Sequence, residues 1–133
     1  MKAVFADTSF FLASLNPDDS LYNKAIALSR RTVGPIVTTG FVLIEVGNAM
    51  CATKQRTLFT EFYTKLAEFP RVTIVPVSQD LADAGFELYA ARRDKEWSVT
   101  DCISFAVMKS DKIIESLTHD HHFVQAGFKA LLR

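Results

Sequence analysis

Residues 2–15, KAVFADTSFFLASL, hold a strand, a polar break and a helix start in one short run. Lys2 to Ala6 is short and apolar, which suits a buried strand. Asp7-Thr8-Ser9 then offers helix-start chemistry, because short oxygen-bearing side chains cap the free N–H groups of a first turn. Phe10, Phe11 and Leu12 supply the apolar body that follows. The alternation continues along the chain. Gly34-Pro35 breaks it, and Ile36-Val37-Thr38 reads as a second strand. Residues 72–77 and 113–117 read as two more, Pro76 weakening the end of the first, and 129–132 as a last edge strand. Helices are predicted from the turn at Asn16-Pro17-Asp18-Asp19 to Arg31, and over 55–69, 78–96 and 100–109. Residues 123–126 read as a single helical turn ended by Gly127. Residues 41–50 are apolar nearly all round, which predicts a deeply buried helix. Strands separated by helices predict an α/β fold, a three-layer α/β/α sandwich around a mostly parallel sheet of four to five strands.

The length of 133 residues suits one domain spanning 1–133. With 49% hydrophobic and 23% charged residues, intrinsic disorder is excluded for most of the chain. Two cysteines, Cys51 and Cys102, are too few for a disulfide scaffold and lack a metal-type partner at short spacing. They read as reduced thiols of a cytoplasmic protein. Fifteen basic and fifteen acidic residues cancel, so no whole-molecule positive field draws in nucleic acid. No apolar run approaches the roughly 18 residues that span a bilayer, so no membrane role is expected. The start is not read as a signal peptide, because Asp7 interrupts its apolar stretch and no small-x-small site follows cleanly.

Four carboxylates stand in costly places. Glu45 lies inside FVLIEVGNAM, with Asn48 one turn on. Asp7 ends the first strand, Asp101 opens the helix containing CISFAVM, and Asp120 follows the fourth strand in LTHDHHF. Each has a structural reading: a salt bridge for Glu45, a helix-start charge for the others, with Thr100 the candidate cap beside Asp101. Together they point elsewhere. In open parallel sheets, sites form beyond the carboxyl ends of the strands. Carboxylates meeting there repel unless cations sit between them, and clustered oxygen ligands select hard ions such as Mg²⁺ or Mn²⁺. Such a site suits phosphodiester hydrolysis, in which one ion activates water and a second stabilises the leaving oxygen.

Other constellations fit less well. His119, His121 and His122 surround Asp120 but are read as facing solvent or RNA, not as a metal site. A haloacid-dehalogenase-type phosphatase wants an acid where Ser9 stands, and a receiver domain wants one at the end of strand three. Cys102 has no evident base partner, and no Gly-rich phosphate loop is present. Trp97 reads as packing at a core or dimer edge.

Four segments together resemble the PIN-domain ribonucleases, and within them the VapC-like toxins of toxin–antitoxin pairs. They are FADTSFFLA, TTGFVLIEVGNAM, WSVTDCISFAVMK and SLTHDHHFVQAGFKALL, in that order over nearly the whole chain. The resemblance implies a PIN-like fold with catalytic, metal-binding acids at Asp7, Glu45, Asp101 and Asp120, the last held more loosely. Thr8, Ser9, Asn48, Thr100 and Thr118 match nearby polar positions that hold metal-bound water or phosphate. The resemblance also implies Mg²⁺- or Mn²⁺-dependent endonucleolytic cleavage of RNA by water, leaving a 5′-phosphate and a 3′-hydroxyl. It implies a homodimer, and an antitoxin that fills the active-site groove. Two alternatives keep the fold: a nuclease outside any toxin pair, acting in RNA processing or on DNA, and a catalytically silent nucleic-acid or protein binding module. With four acids at the site, eleven remain against fifteen basic residues elsewhere. Arg30, Arg31, Lys54, Arg56, Arg92, Arg93, Lys95, Lys109 and Lys112 are candidates for holding RNA backbone.

Overall fold

Val4–Ala6 forms the central strand, β1, and all three of its residues are buried. Burial on both faces is what a parallel strand covered by two helical layers requires. A computed structural model of the chain describes residues 1–133. After β1 the chain forms α1 (Thr8–Leu15), α2 (Tyr22–Arg31), β2 (Ile36–Thr39) and α3 (Gly40–Ala49). A 3-10 turn at Thr53–Gln55 leads into α4 (Arg56–Glu68), β3 (Val72–Val75), α5 (Gln79–Ala91) and α6 (Val99–Ser110). The chain closes with β4 (Glu115–Leu117), α7 (His121–Gln125) and β5 (Lys129–Ala130). The strands form one five-stranded sheet in the order β3-β2-β1-β4-β5, and every pairing is parallel. This is the three-layer α/β/α architecture the sequence predicts.

The order places a switch point at β1 and β4. The chain steps outward from β1 through β2 to β3, then returns to lay β4 on the free side of β1. Successive connections diverge there, which opens a crevice at the carboxyl ends of the two strands. The register sets Ala6 opposite Leu117, and the Asp7 N–H donates to the Leu117 carbonyl at 3.1 Å. Asp7 and Thr118 therefore leave the sheet side by side.

Aromatic packing fixes what surrounds that crevice. Phe123 is fully buried and meets Phe105 edge-on, with centroids 4.9 Å apart. Phe105 in turn meets Trp97 edge-on at 5.0 Å, and the Trp97 indole N–H donates to Gln125 Oε1. Trp97 is thus core, tying α6 to α7. Gly127, at φ 97°, takes the left-handed conformation that ends α7 and turns the chain into β5.

Two elements differ from expectation. Helix α3 is not buried all round: Val42, Leu43 and Val46 face inward, while Ile44 is 54% exposed and Asn48 lies in solvent. It packs against α1, α4 and α6 along part of its surface, and apolar composition alone does not reveal which side a neighbour covers. Helix α5 stops at Ala91, short of the predicted Glu96. Arg92 leaves helical geometry and pairs with Asp94 through two hydrogen bonds, and Ser98 already begins the next helix.

Helices α5 and α6 meet at Gly85, where an added Cβ would lie 2.3 Å from Ile103 Cγ1. Gly85→Ala is expected to push the helices apart and lower stability by about 1–3 kcal/mol, as overpacking does. Urea unfolding measures it, and an unchanged midpoint would show the interface to be looser than described.

Candidate functional site

Three of the four acids reach the crevice from separate elements. Asp7 ends β1 and is 4% exposed. Asp101 sits in the first turn of α6, held by a capping box: the Asp101 N–H donates to Ser98 Oγ, and the Ser98 N–H donates to Asp101 Oδ2. Ser98, not Thr100, is the cap; the Ser-x-x-Asp spacing is its sequence signature. Asp120 caps α7, accepting the His122 N–H at Oδ1. Glu45, half-buried on α3, lies close enough for its charge to act on Asp7.

Thr118 joins the strand ends. Its hydroxyl donates to Asp7 Oδ2 at 2.9 Å and accepts the Asp120 N–H at 3.0 Å. A hydroxyl has one proton, so in the 3.1 Å contact between them Ser9 must donate to Thr118. Ser9 Oγ also accepts the His119 N–H. Thr118 and Ser9 thus lock the end of β4 to the start of α1. Thr8 is buried, and its hydroxyl has no hydrogen-bond partner. Thr100 lies half-buried beside Asp101, and Asn48 lies in solvent on α3; neither joins this network.

The electrostatics are those of crowded acids. Burial is the main cause that raises the Asp7 carboxyl to about 7 from 3.8, and the charges of Asp101 and Glu45 add to it, against hydrogen bonds from Thr8 and Thr118. Burial also raises Asp101, reinforced by the charge of Asp120. No lysine or arginine pairs with any of the four acids, so the buried salt bridge considered for Glu45 is absent. The basic group that arrives is His122, whose Nδ1 lies 3.1 Å from Asp101 Oδ2. His119 and His121 are exposed, but His122 turns inward, against expectation. Its i+2 spacing from Asp120, across a helix cap, was the signal available in the sequence. Burial and the charge of Asp101 push the Cys102 thiol up, which disfavours a nucleophilic thiolate.

The sequence matches the PIN domain over residues 4–129. The chain belongs to the PIN domain family. The 23S rRNA-specific endonuclease VapC20 of Mycobacterium tuberculosis is 30% identical over 128 residues, covering 94% of this chain and 95% of its own length. The crystal structure of M. tuberculosis VapC20, described as a Sarcin-Ricin loop cleaving toxin, superposes with a TM-score of 0.86 and 26% identity, covering 94% of this chain and 95% of the other. FitAcB from Neisseria gonorrhoeae shares the fold at a TM-score of 0.69 and 18% identity, covering 96% of this chain and 94% of the other. In this PIN domain the strand-end crevice has a donor set that fits a divalent cation. It combines several carboxylates, no resident lysine or arginine, and a buried Thr8 hydroxyl free to bond a water.

Proposed function

We propose that this chain is a divalent-metal-dependent endoribonuclease, the toxin of a toxin–antitoxin pair, acting through Asp7, Glu45, Asp101 and Asp120. The observation that carries the reading is Asp7: a carboxylate 4% exposed, beside further acids, without a lysine or arginine to balance it. Such an arrangement is stable in its ionised form only when a cation enters. A bound Mg²⁺ or Mn²⁺ supplies Lewis-acid chemistry at a phosphodiester and lowers the pKa of the attacking water. The chain's own part is to fix the acids: Thr118 orients Asp7, Ser98 orients Asp101, and the α7 cap orients Asp120. Thr8, Ser9, Asn48 and Thr100 remain candidates for water or phosphate contacts. The likeness to VapC20 supports ribosomal RNA as the substrate class.

A basic cleft supports the RNA reading. Arg92, Arg93 and Lys95, with one acid, Glu96, line a hollow of about 680 Å³ together with Tyr89 and Ser98, and Ser98 is the residue that caps α6. Arg92 is held over the Trp97 ring, 5.0 Å from its centroid, and pairs with Asp94, so Arg93 and Lys95 are the cations there without a salt bridge. Arg93→Ala with Lys95→Ala is expected to weaken RNA binding alike across sequences and to reduce the salt slope by about 1.4 for a single strand. Filter binding between 50 and 200 mM salt reads it; an unchanged slope would place the RNA elsewhere.

The partner reading is an antitoxin, with the toxin itself a cytoplasmic homodimer. Ile44, Tyr63 and Val77 gather on an apolar groove of about 570 Å³ between α3, α4 and β3, a surface suited to a protein partner. No helix of the chain is long and apolar enough to cross a membrane. Both cysteines are free. The test of the activity is mapping of RNA ends after incubation with ribosomal RNA and Mg²⁺ or Mn²⁺. Discrete products with 5′-phosphate and 3′-hydroxyl ends are expected. Cyclic-phosphate ends, or cleavage that persists in chelator, would overturn it.

A further inference from the structure

His122 has no role in the reading above, yet its ring reaches two of the four acids, Asp101 and Asp120. Its Nδ1 lies 3.1 Å from Asp101 Oδ2 and 3.4 Å from Asp120 Oδ1, and the side chain is 20% exposed. The ring is fixed from below, because the next residue, Phe123, is fully buried against Phe105. The His121 ring lies against the His122 ring at a tilt of 48°, with centroids 4.4 Å apart. We propose that His122 Nδ1 is a ligand of the divalent ion held by Asp101 and Asp120, so that the centre prefers a first-row transition ion, Mn²⁺ among them, over Mg²⁺. The inference rests on the metal-centre reading and adds a ligand and an ion preference to it.

Spacing carries the first part. Adjacent ligands of an octahedral ion with bonds of about 2.1 Å lie roughly 3.0 Å apart. The two separations from Nδ1 to the carboxylate oxygens are close to that value: 3.1 Å to Asp101 Oδ2, where the two side chains share a hydrogen bond, and 3.4 Å to Asp120 Oδ1. Ligand atoms of Asp120, His121 and His122 also lie within 4.8 Å of one another, a group that does not include Asp101. His121 is the weaker candidate, since its Nδ1 is 3.7 Å from Asp120 Oδ1 and its side chain is 60% exposed. Donor chemistry carries the second part. Mg²⁺ keeps oxygen ligands and releases water reluctantly, whereas transition ions accept imidazole.

Electron spin-echo modulation of the Mn²⁺-loaded wild-type protein tests this without any cleavage assay. Modulation from a directly bound ¹⁴N nucleus is expected. It should vanish in His122→Asn, which offers an oxygen in place of the nitrogen, and persist in His121→Asn. Calorimetry should show Mn²⁺ binding weakened about tenfold or more in His122→Asn, the scale of losing a supporting group at a metal, with Mg²⁺ binding changed much less. Bound Mn²⁺ without ¹⁴N modulation in the wild-type protein would make His122 a hydrogen-bond partner of Asp101 only, overturning the inference and leaving the carboxylate centre intact. Modulation lost in His121→Asn instead would also overturn it. No Mn²⁺ binding at all would overturn the metal-centre reading, and this one with it.

Discussion

Asp101→Asn is expected to reduce metal-dependent RNA cleavage by about 10³-fold or more, the scale of removing one electrostatic stabiliser from a preorganised site. The fold should survive. The Asn side-chain oxygen can still accept the Ser98 N–H, so the capping box that starts α6 keeps its backbone half. The substitution also removes a charge that Asp120 disfavours. Circular dichroism and the unfolding midpoint should therefore stay near wild type while activity disappears. Cleavage of total RNA by both proteins, with Mn²⁺ and with chelator, gives the comparison. Full activity in Asp101→Asn would remove this residue from the chemistry.

Metal-free protein is expected to lose stability as pH rises. Asp7 holds its proton up to about pH 7 in the folded chain, against 3.8 as its ordinary value. The folded state thus binds more protons than the unfolded state between those limits, and stability falls with rising pH across that window. The contribution is complete below about pH 4 and gone above about pH 7. Its size is roughly 4 kcal/mol for a rise of this extent, an order-of-magnitude figure for a buried group. The raised Asp101 acts in the same direction. Saturating Mn²⁺ or Mg²⁺ favours the ionised acids and should flatten the slope by binding only the folded state. Asp7→Asn cannot ionise, so it should be the more stable metal-free protein at pH 8 and lack most of the slope. Unfolding curves at pH 5 and 8, with and without ion, measure all of this. Equal slopes in wild type and Asp7→Asn would contradict the burial argument.

The sheet was largely legible because each parallel strand is a short apolar run bounded by turn or capping residues. KAVFA before Asp7 and IIESL before Thr118 show the pattern. Strand order was not legible. That β4 returns beside β1 depends on packing of the whole chain, yet it is what sets Asp7 next to Thr118. The acids were legible as carboxylates in apolar surroundings, and the placement of Asp7 and Asp120 follows from that switch point. Helix boundaries were less so. The 92–97 turn rests on an Arg92–Asp94 pair inside a stretch with helical composition. Ser98 was missed although its spacing to Asp101 marks a cap. The sequence reading leaves His122 facing solvent or RNA. The short helix α7 instead brings both His121 and His122 to Asp120.

Calorimetric titration of Mn²⁺ and Mg²⁺ into the purified wild-type protein, with Asp7→Asn, Glu45→Gln, Asp101→Asn and Asp120→Asn alongside, reads the convergence of the acids without any substrate. Saturable binding in the wild type is expected, weakened about tenfold or more in the first three variants and less in Asp120→Asn. Wild-type protein that binds neither ion, or binding that all four substitutions leave unchanged, would mean that these carboxylates do not form a metal centre.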